Sequence, residues 1–250
     1  MPEHARPPRR KQDQRYWDRM AERWDREIFN TLYHDKSRVI TTELKRSSVG
    51  ARSVADFGCG TWLYFPLLCR LFQEVQGFER SRACVRIATA RFRKHAGIAV
   101  HPASTATRRR GAFDVVLCVN VVIHPSVRGR MSVMGAVRSL LVPGGTLILV
   151  VPSLESATMV ARVEQRALRR QGRPGTGDWD VDTDRHGVVA IEGLPTKHFT
   201  RPELRDTLER LGWKVSRVRR VPYSWQSQGV RPGPGGRRRL PWDWIAVARR

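Results

Sequence analysis

VADFGCGTW, Val54 to Trp62, is the stretch from which the rest of the chain can be read. A short apolar run ends in an acid, Asp56, and passes at once into two spaced glycines, Gly58 and Gly60. That order predicts a buried strand turning tightly into a helix. Glycine carries no Cβ to block approach, so such a turn brings backbone N–H groups and one carboxylate close to a ligand. About 20 residues further on, after a helical segment expected over Leu63 to Phe72, EVQGFERS places Glu79 at the end of a second short strand. An ionised carboxylate there can accept hydrogen bonds from both hydroxyls of a ribose. The plainer alternative for Glu79 is a surface acid in a strand-to-helix turn.

Two classes of nucleotide cofactor share this arrangement. A dinucleotide fingerprint needs a third glycine for close packing of helix on strand, and that position is Leu63. NAD and FAD are therefore disfavoured. At these residues the chain resembles the class I S-adenosylmethionine-dependent methyltransferases, whose first motif runs acid-x-Gly-x-Gly-x-Gly. Asp56, Gly58 and Gly60 match it, and the family's last glycine falls on Trp62. FDVVLCVNVVIHP, Phe113 to Pro125, is similar to the family's fourth strand and the turn after it. The next helix is expected to bury Val127, Met131, Met134, Val137 and Leu141. VPGG, Val142 to Gly145, reads as the turn into a fifth strand, TLILVVP. HFTRPELRDTLERLGWKVSRVRRV resembles the last helix and sixth strand, with Thr200 and Glu203 at capping-box spacing and Gly212 at the helix end. WDWIAVARR, from Trp242, would be the seventh strand.

The resemblance implies an α/β fold: a Rossmann-like, doubly wound seven-stranded sheet with a C-terminal antiparallel hairpin. It implies S-adenosylmethionine as cofactor and a methyl acceptor as partner. The family's acid after strand three, which would meet the adenine amine, has no counterpart in IAVHPASTATRRRGAFD before Asp114. Ser104 or Thr105 is the expected substitute. Asn120 and His124 follow strand four, where a ligand lies beyond the strand ends of an open α/β sheet. An imidazole with an ordinary pKa near 6.5 suits proton removal, so His124 is the candidate general base; a hydrogen-bonding role in the turn is its alternative. No Asn/Asp-Pro-Pro-Tyr segment follows strand four, and Cys118 is followed by Val119, with no Pro-Cys pair. Methylation of exocyclic base nitrogens or of pyrimidine C5 is thus disfavoured.

Bulk properties agree with one large domain: 250 residues, 40% of them hydrophobic. No apolar run approaches a bilayer span and no signal peptide is visible, so a cytoplasmic protein is expected, with no membrane partner. The four cysteines lack C-x-x-C spacing, and no metal site is expected. The net charge is +23, yet only six of the 46 basic residues are lysine. RPPRRK, the arginine triplet at 108–110 and GGRRR at 235–239 fall in expected loops or tails. Nucleic acid remains a possible partner, with a solvated basic surface as the simpler account.

Two regions bear on substrate. In RYWDRMAERWDREIFNTLYHD, Arg15 to Asp35, Trp17, Met20, Trp24, Ile28 and Leu32 recur at helical spacing. In similar methyltransferases an aromatic N-terminal helix covers the cofactor, which makes Tyr16 and Trp17 candidates for a lid. Between strand five and the last helix, Asp178, Asp180, Asp182 and Asp184 alternate. An EF-hand would need Gly and Glu where the chain has Thr183 and Val189, so calcium is not expected. The expected organisation is a basic disordered tail at 1–12, a helical lid at 13–48, a cofactor-binding half at 49–152, a substrate-cap insertion at 153–196, and the last helix and hairpin at 197–250. The function read from these residues is methyl transfer from S-adenosylmethionine to an O or N atom of a small molecule, with cofactor contacts from Tyr16, Trp17, Asp56, Gly58, Gly60, Glu79, Ser104 and Asn120. An RNA methyltransferase and a non-catalytic methyltransferase-like scaffold are the alternatives.

Overall fold

A computed structural model describes residues 14–24, 28–95, 98–172, 179–180, 186–191, 194–232 and 239–250. Five parallel strands carry the apolar runs: β1 Ser53–Phe57, β2 Glu74–Glu79, β3 Ile98–Pro102, β4 Phe113–Val119 and β5 Leu141–Pro152. Two antiparallel strands, β9 Lys214–Pro222 and β10 Trp242–Arg249, complete one seven-stranded sheet in the order β3-β2-β1-β4-β5-β10-β9. Strands covered on both faces are mostly apolar, which is why Val54, Ala55 and Phe57 of β1 and Val115 to Val119 of β4 are hydrophobic, with Asp56 a buried exception.

Eight α-helices lie among the described residues: α1 Gln14–Met20, α2 Thr31–His34, α3 Val39–Ser47, α4 Phe65–Leu71, α5 Arg82–Phe92, α6 Val127–Leu140, α7 Leu154–Arg170 and α8 Arg201–Arg210. Strand alternation divides the core in two. Val54, Val115, Leu117, Val150 and Ile245 pack with Ile40 and Leu44 of α3 and Phe65 and Leu68 of α4. Ala55, Val116, Cys118, Leu149 and Trp244 pack with Met134 and Val137 of α6 and Leu204 and Leu208 of α8. The capping box at α8 forms as expected: the Thr200 hydroxyl accepts from the Glu203 N–H and the Glu203 carboxylate accepts from the Thr200 N–H.

The structure corrects four local expectations. The N-terminal aromatic stripe is not one helix, since α1 ends at Met20, a 3-10 turn follows, and α2 is a single turn. Helix α4 is shorter than Leu63 to Phe72, because Gly60 and Trp62 hold left-handed backbone that delays it. Helix α6 is rotated from its expected face: Val127 is 56% exposed, whereas Arg130 is buried with Met134, Val137 and Leu140. The Arg130 guanidinium donates to the carbonyls of His124 and Pro125 at 2.8 and 2.7 Å, so its burial closes the preceding turn. VPGG is not a separate turn; β5 begins at Leu141, with Gly144 at positive φ inside it.

Between α7 and α8, strands β6 Trp179–Asp180, β7 Val188–Ile191 and β8 Leu194–Lys197 form a small antiparallel sheet. It is fastened to the C-terminal ends of β4 and β5: the Lys197 N–H donates to Ile123 O and the Phe199 N–H to Pro152 O, each at 2.9 Å. Asp178, Asp182, Asp184, the first basic tail and most of the GGRRR segment lie outside the described residues, as does the side chain of Asp180. No helix among the described residues is long and apolar enough to cross a membrane.

Candidate functional site

Gly58 and Gly60 take φ of +79° and +56°, backbone that L side chains rarely adopt. A Cβ on Gly58 would overlap the Val121 side chain, and one on Gly60 would overlap the Trp24 indole. The turn is thus packed between the loop after β4 and the N-terminal segment, with space for backbone alone. Glu79 at the end of β2 is 5% exposed and accepts from the Gly60 N–H at 2.9 Å and the Ser81 N–H at 2.7 Å. It ties the glycine turn to the start of α5. Its carboxylate oxygens retain lone pairs beyond these two bonds.

Asp56 is 3% exposed and forms no ion pair among the described residues. Burial, then the charge of Glu79, push its pKa up to about 8. The Trp62 indole lies near enough to offset this in part, outside hydrogen-bonding geometry. Burial raises Glu79 as well, against the backbone N–H groups of Ser81 and Gly60. Trp62, at the family's third glycine, has φ of +74° and is buried under the turn against Phe65, Phe92 and Gly77. Its ring therefore points into the core, away from the glycine face, and the missing Cβ of Gly77 makes room for it.

Asn120, just past β4, also holds a positive φ of 55°. Its Nδ2 donates to Asp243 Oδ2 at 3.4 Å, and the Tyr223 hydroxyl donates to the same oxygen at 3.1 Å. Asp243, near the start of β10, is pushed up to about 7 by burial, opposed by the hydrogen bonds from Asn120, Tyr223 and the Ser153 backbone. Next to this cluster, Tyr64 and Thr31 share a 2.5 Å hydrogen bond, and Asp35 accepts from the N–H groups of Val39 and Ile40 at the start of α3. Three buried side-chain atoms at this edge have no partner among the described residues: Asp56 Oδ2, Trp62 Nε1 and Asn120 Oδ1. Buried polar atoms are rarely left so, and a polar ligand seated on the glycine turn would satisfy the two oxygens.

The remaining sequence candidates are spread along the same edge. Trp17 lies 5.9 Å from Trp24, whose ring covers Gly60, and Tyr16 stacks edge-on to Trp17 at 5.0 Å. Asp18 of the same helix accepts from the Ser81 hydroxyl at 2.6 Å and the Ala83 N–H at 3.1 Å, which fixes α1 over the start of α5. Ser104 is exposed on a 3-10 turn after β3, two residues past Pro102, the partner of Glu79 in register. His124 Nδ1 accepts from the Ser126 N–H at 3.0 Å, and its ring packs on Gly129 of α6. That leaves Nε2 as the ring nitrogen outside the turn. Trp24, Tyr223 and Asp243 were missed as site residues. Asp243 carried a signal, an acid between two tryptophans in an otherwise apolar strand. The other two depend on how distant segments meet.

A family model described as "Methyltransferase domain" matches residues 16–218. The chain belongs to this family. The methyltransferase has the class I fold, and S-adenosylmethionine is the cofactor of that class. Among curated proteins, the ubiquinone biosynthesis O-methyltransferase of Ralstonia nicotianae is 29% identical over 136 residues, 52% of this chain and 53% of that one. The chain thus spans about half the length of the curated relative it matches. Among solved structures, 1,6-didemethyltoxoflavin-N1-methyltransferase of Burkholderia thailandensis is similar with a TM-score of 0.60 at 13% identity, over 95% of this chain and 86% of that one. CalS10 of Micromonospora echinaspora, an amino pentose methyltransferase, gives 0.54 at 20% identity, over 93% and 95%. At such identities the two neighbours speak for the fold alone.

Proposed function

We propose that this methyltransferase carries the methyl group of S-adenosylmethionine to an O or N atom of a small-molecule acceptor. The observation that carries the reading is the part-buried cluster of Asp243, Asn120 and Tyr223, set beside the glycine turn at the C-terminal ends of the parallel strands. The O-methyltransferase in the name of the curated relative, and the small-molecule acceptors in the names of the two structural neighbours, agree with it.

The residues present suit the cofactor. Gly58 and Gly60 give it backbone at close range, Glu79 would take the ribose hydroxyls, and Asp56 offers an unpartnered oxygen. Tyr16 and Trp17, with Trp24, would cover it, Ser104 would meet the adenine, and Asn120 would border the methyl end. S-adenosylmethionine supplies an activated methyl on a sulfonium, so the protein's share is positioning and proton removal, and alignment alone is worth roughly 7–11 kcal/mol of barrier. Asp243 has the properties of a general base: when ionised it accepts the proton of the acceptor's O–H or N–H, and Tyr223 and Asn120 hold its oxygen in place. His124 Nε2 is the second candidate for that proton.

Titration calorimetry with S-adenosylmethionine and S-adenosylhomocysteine, beside NADH, tests the cofactor assignment. Micromolar binding of the first two alone is expected, and Glu79→Ala should weaken it about tenfold or more. Absence of binding would give precedence to a non-catalytic scaffold.

A further inference from the structure

A fourth buried side-chain atom lacks a partner among the described residues, Trp242 Nε1, and it lies apart from the other three. Strand alternation turns Trp242 to the face of β10 opposite its neighbour Asp243. There α7 stands off the sheet and leaves a cleft of about 800 Å3. Helix α7 lines it with Met159, Arg162, Val163 and Arg166, which share one helical face. Arg220 of β9 and Arg239 supply two more guanidiniums from the other side, and Arg220 Cζ lies over the Trp242 ring, 4.1 Å from its centroid. Glu155 is the single acid in the lining, and it is already engaged: it accepts from the Arg201 N–H at 3.0 Å, the Ser153 hydroxyl at 3.0 Å and the Trp244 indole at 3.1 Å. None of the four arginines has an ion pair among the described residues.

The cleft therefore combines an apolar floor, four cations at its rim without an ion pair among the described residues, and a buried N–H donor without an acceptor among them. We propose that it is a second ligand site, separate from the cofactor turn, for a small organic anion with a flat apolar body. The anionic head sits among Arg162, Arg166, Arg220 and Arg239, the body lies against Trp242 and Met159, and an acceptor atom of the ligand meets Trp242 Nε1. Guanidiniums pair with carboxylate and phosphate alike through two parallel N–H bonds, so both head groups fit. A small ligand accounts for the shape better than a nucleic acid does. The volume lies in the roughly 300–1,000 Å3 range of small-molecule sites, and the cations ring one cleft, where a strand-tracking surface would string them along a groove.

The test is calorimetry on the whole chain with 2-naphthyl phosphate and 2-naphthoate, beside inorganic phosphate, neutral 2-naphthol and a single-stranded oligonucleotide. At least one naphthyl anion is expected to bind in the micromolar range, and which of the two binds tighter names the head group. Phosphate and 2-naphthol should each bind at least about tenfold more weakly, because each offers half of the recognition. The triple variant Arg162→Gln, Arg166→Gln, Arg220→Gln should lose at least about tenfold in affinity with an unchanged thermal transition. If its transition falls, the exposed single variants Arg162→Gln and Arg166→Gln are read in the same way. The proposal is overturned if neither naphthyl anion binds below millimolar, if inorganic phosphate binds as well as the naphthyl anions, or if the arginine variants bind unchanged. Tight binding of the oligonucleotide without the naphthyl anions would also overturn it, in favour of a nucleic-acid surface.

Discussion

Two carboxylates withdrawn to different depths in this protein are treated in opposite ways. Glu43 on α3 is 1% exposed and is gripped by three guanidiniums, Arg46 at 3.0 Å, Arg217 at 3.1 Å and Arg219 at 3.3 Å. Asp243 is part-buried and, among the described residues, has only neutral donors, a tyrosine hydroxyl, an asparagine amide and a backbone N–H, and burial pushes its pKa up to about 7. An acid supplied with cations serves as a staple, here joining α3 to the edge of the sheet. An acid denied them stays poised near neutrality, which costs stability and suits proton transfer.

The largest effect should come from Asp243→Asn, which keeps the shape and removes the base. Turnover with any acceptor found by screening should fall by about 10²- to 10⁴-fold while cofactor affinity, read by calorimetry, stays within about threefold. Unchanged turnover would make Asp243 as structural as Glu43. Glu43→Gln should act on stability alone. Its guanidiniums are roughly half exposed and return to water, so about 1–3 kcal/mol should be lost in urea unfolding, with turnover intact. The effect of pH comes next. The folded pKa values of Asp243 and Asp56 lie above the unfolded value near 4, so the native state retains protons that the unfolded chain has released. Stability should fall as pH rises from about 4 through 7 to 8, by at most about 1.4 kcal/mol per unit and group. The urea midpoint of Asp243→Asn should decline less between pH 5.5 and 8 than that of the native chain. Activity should rise over the same interval as Asp243 ionises, so the two profiles should cross. The smallest effect is reserved for Trp24→Ala, which uncovers Gly60. It should weaken cofactor binding by a few-fold, about 1 kcal/mol, with no change in the pH profile.

What could be read from the chain alone follows from the range of the forces involved. The β1 turn and Glu79 were readable because both are local: an apolar run, an acid and two glycines within seven residues, then a second run ending in an acid. The capping box at Thr200 and Glu203 was local in the same way. Arg130 was not readable, since periodicity treats arginine as polar, while the structure buries it to satisfy two carbonyls of the preceding turn. The break in the N-terminal helix was hidden by tryptophans at helical spacing; Trp17 and Trp24 do share a cluster, but across a change of helix type. The Asn120–Asp243 contact joins residues 123 positions apart through the pairing of β10 with β5, which no local pattern encodes. Trp62 is a position the motif alone leaves open. Its indole could alter the pocket or point away from it, and the backbone turns the ring into a space kept by Gly77.

Strand β9 forms one margin of the main sheet, and an uncovered margin is an invitation to aggregate, because its free N–H and C=O groups can recruit another strand. Here Lys214, Arg217, Arg219 and Arg220 keep exposed charge along it, even though Arg217 and Arg219 also reach Glu43 and Arg220 covers the Trp242 ring. Two such margins brought together would set these cations against one another at strand spacing, a few ångströms apart. Part of the arginine excess that looks, in composition, like an affinity for polyanions acts at this strand as protection against fibrous self-association.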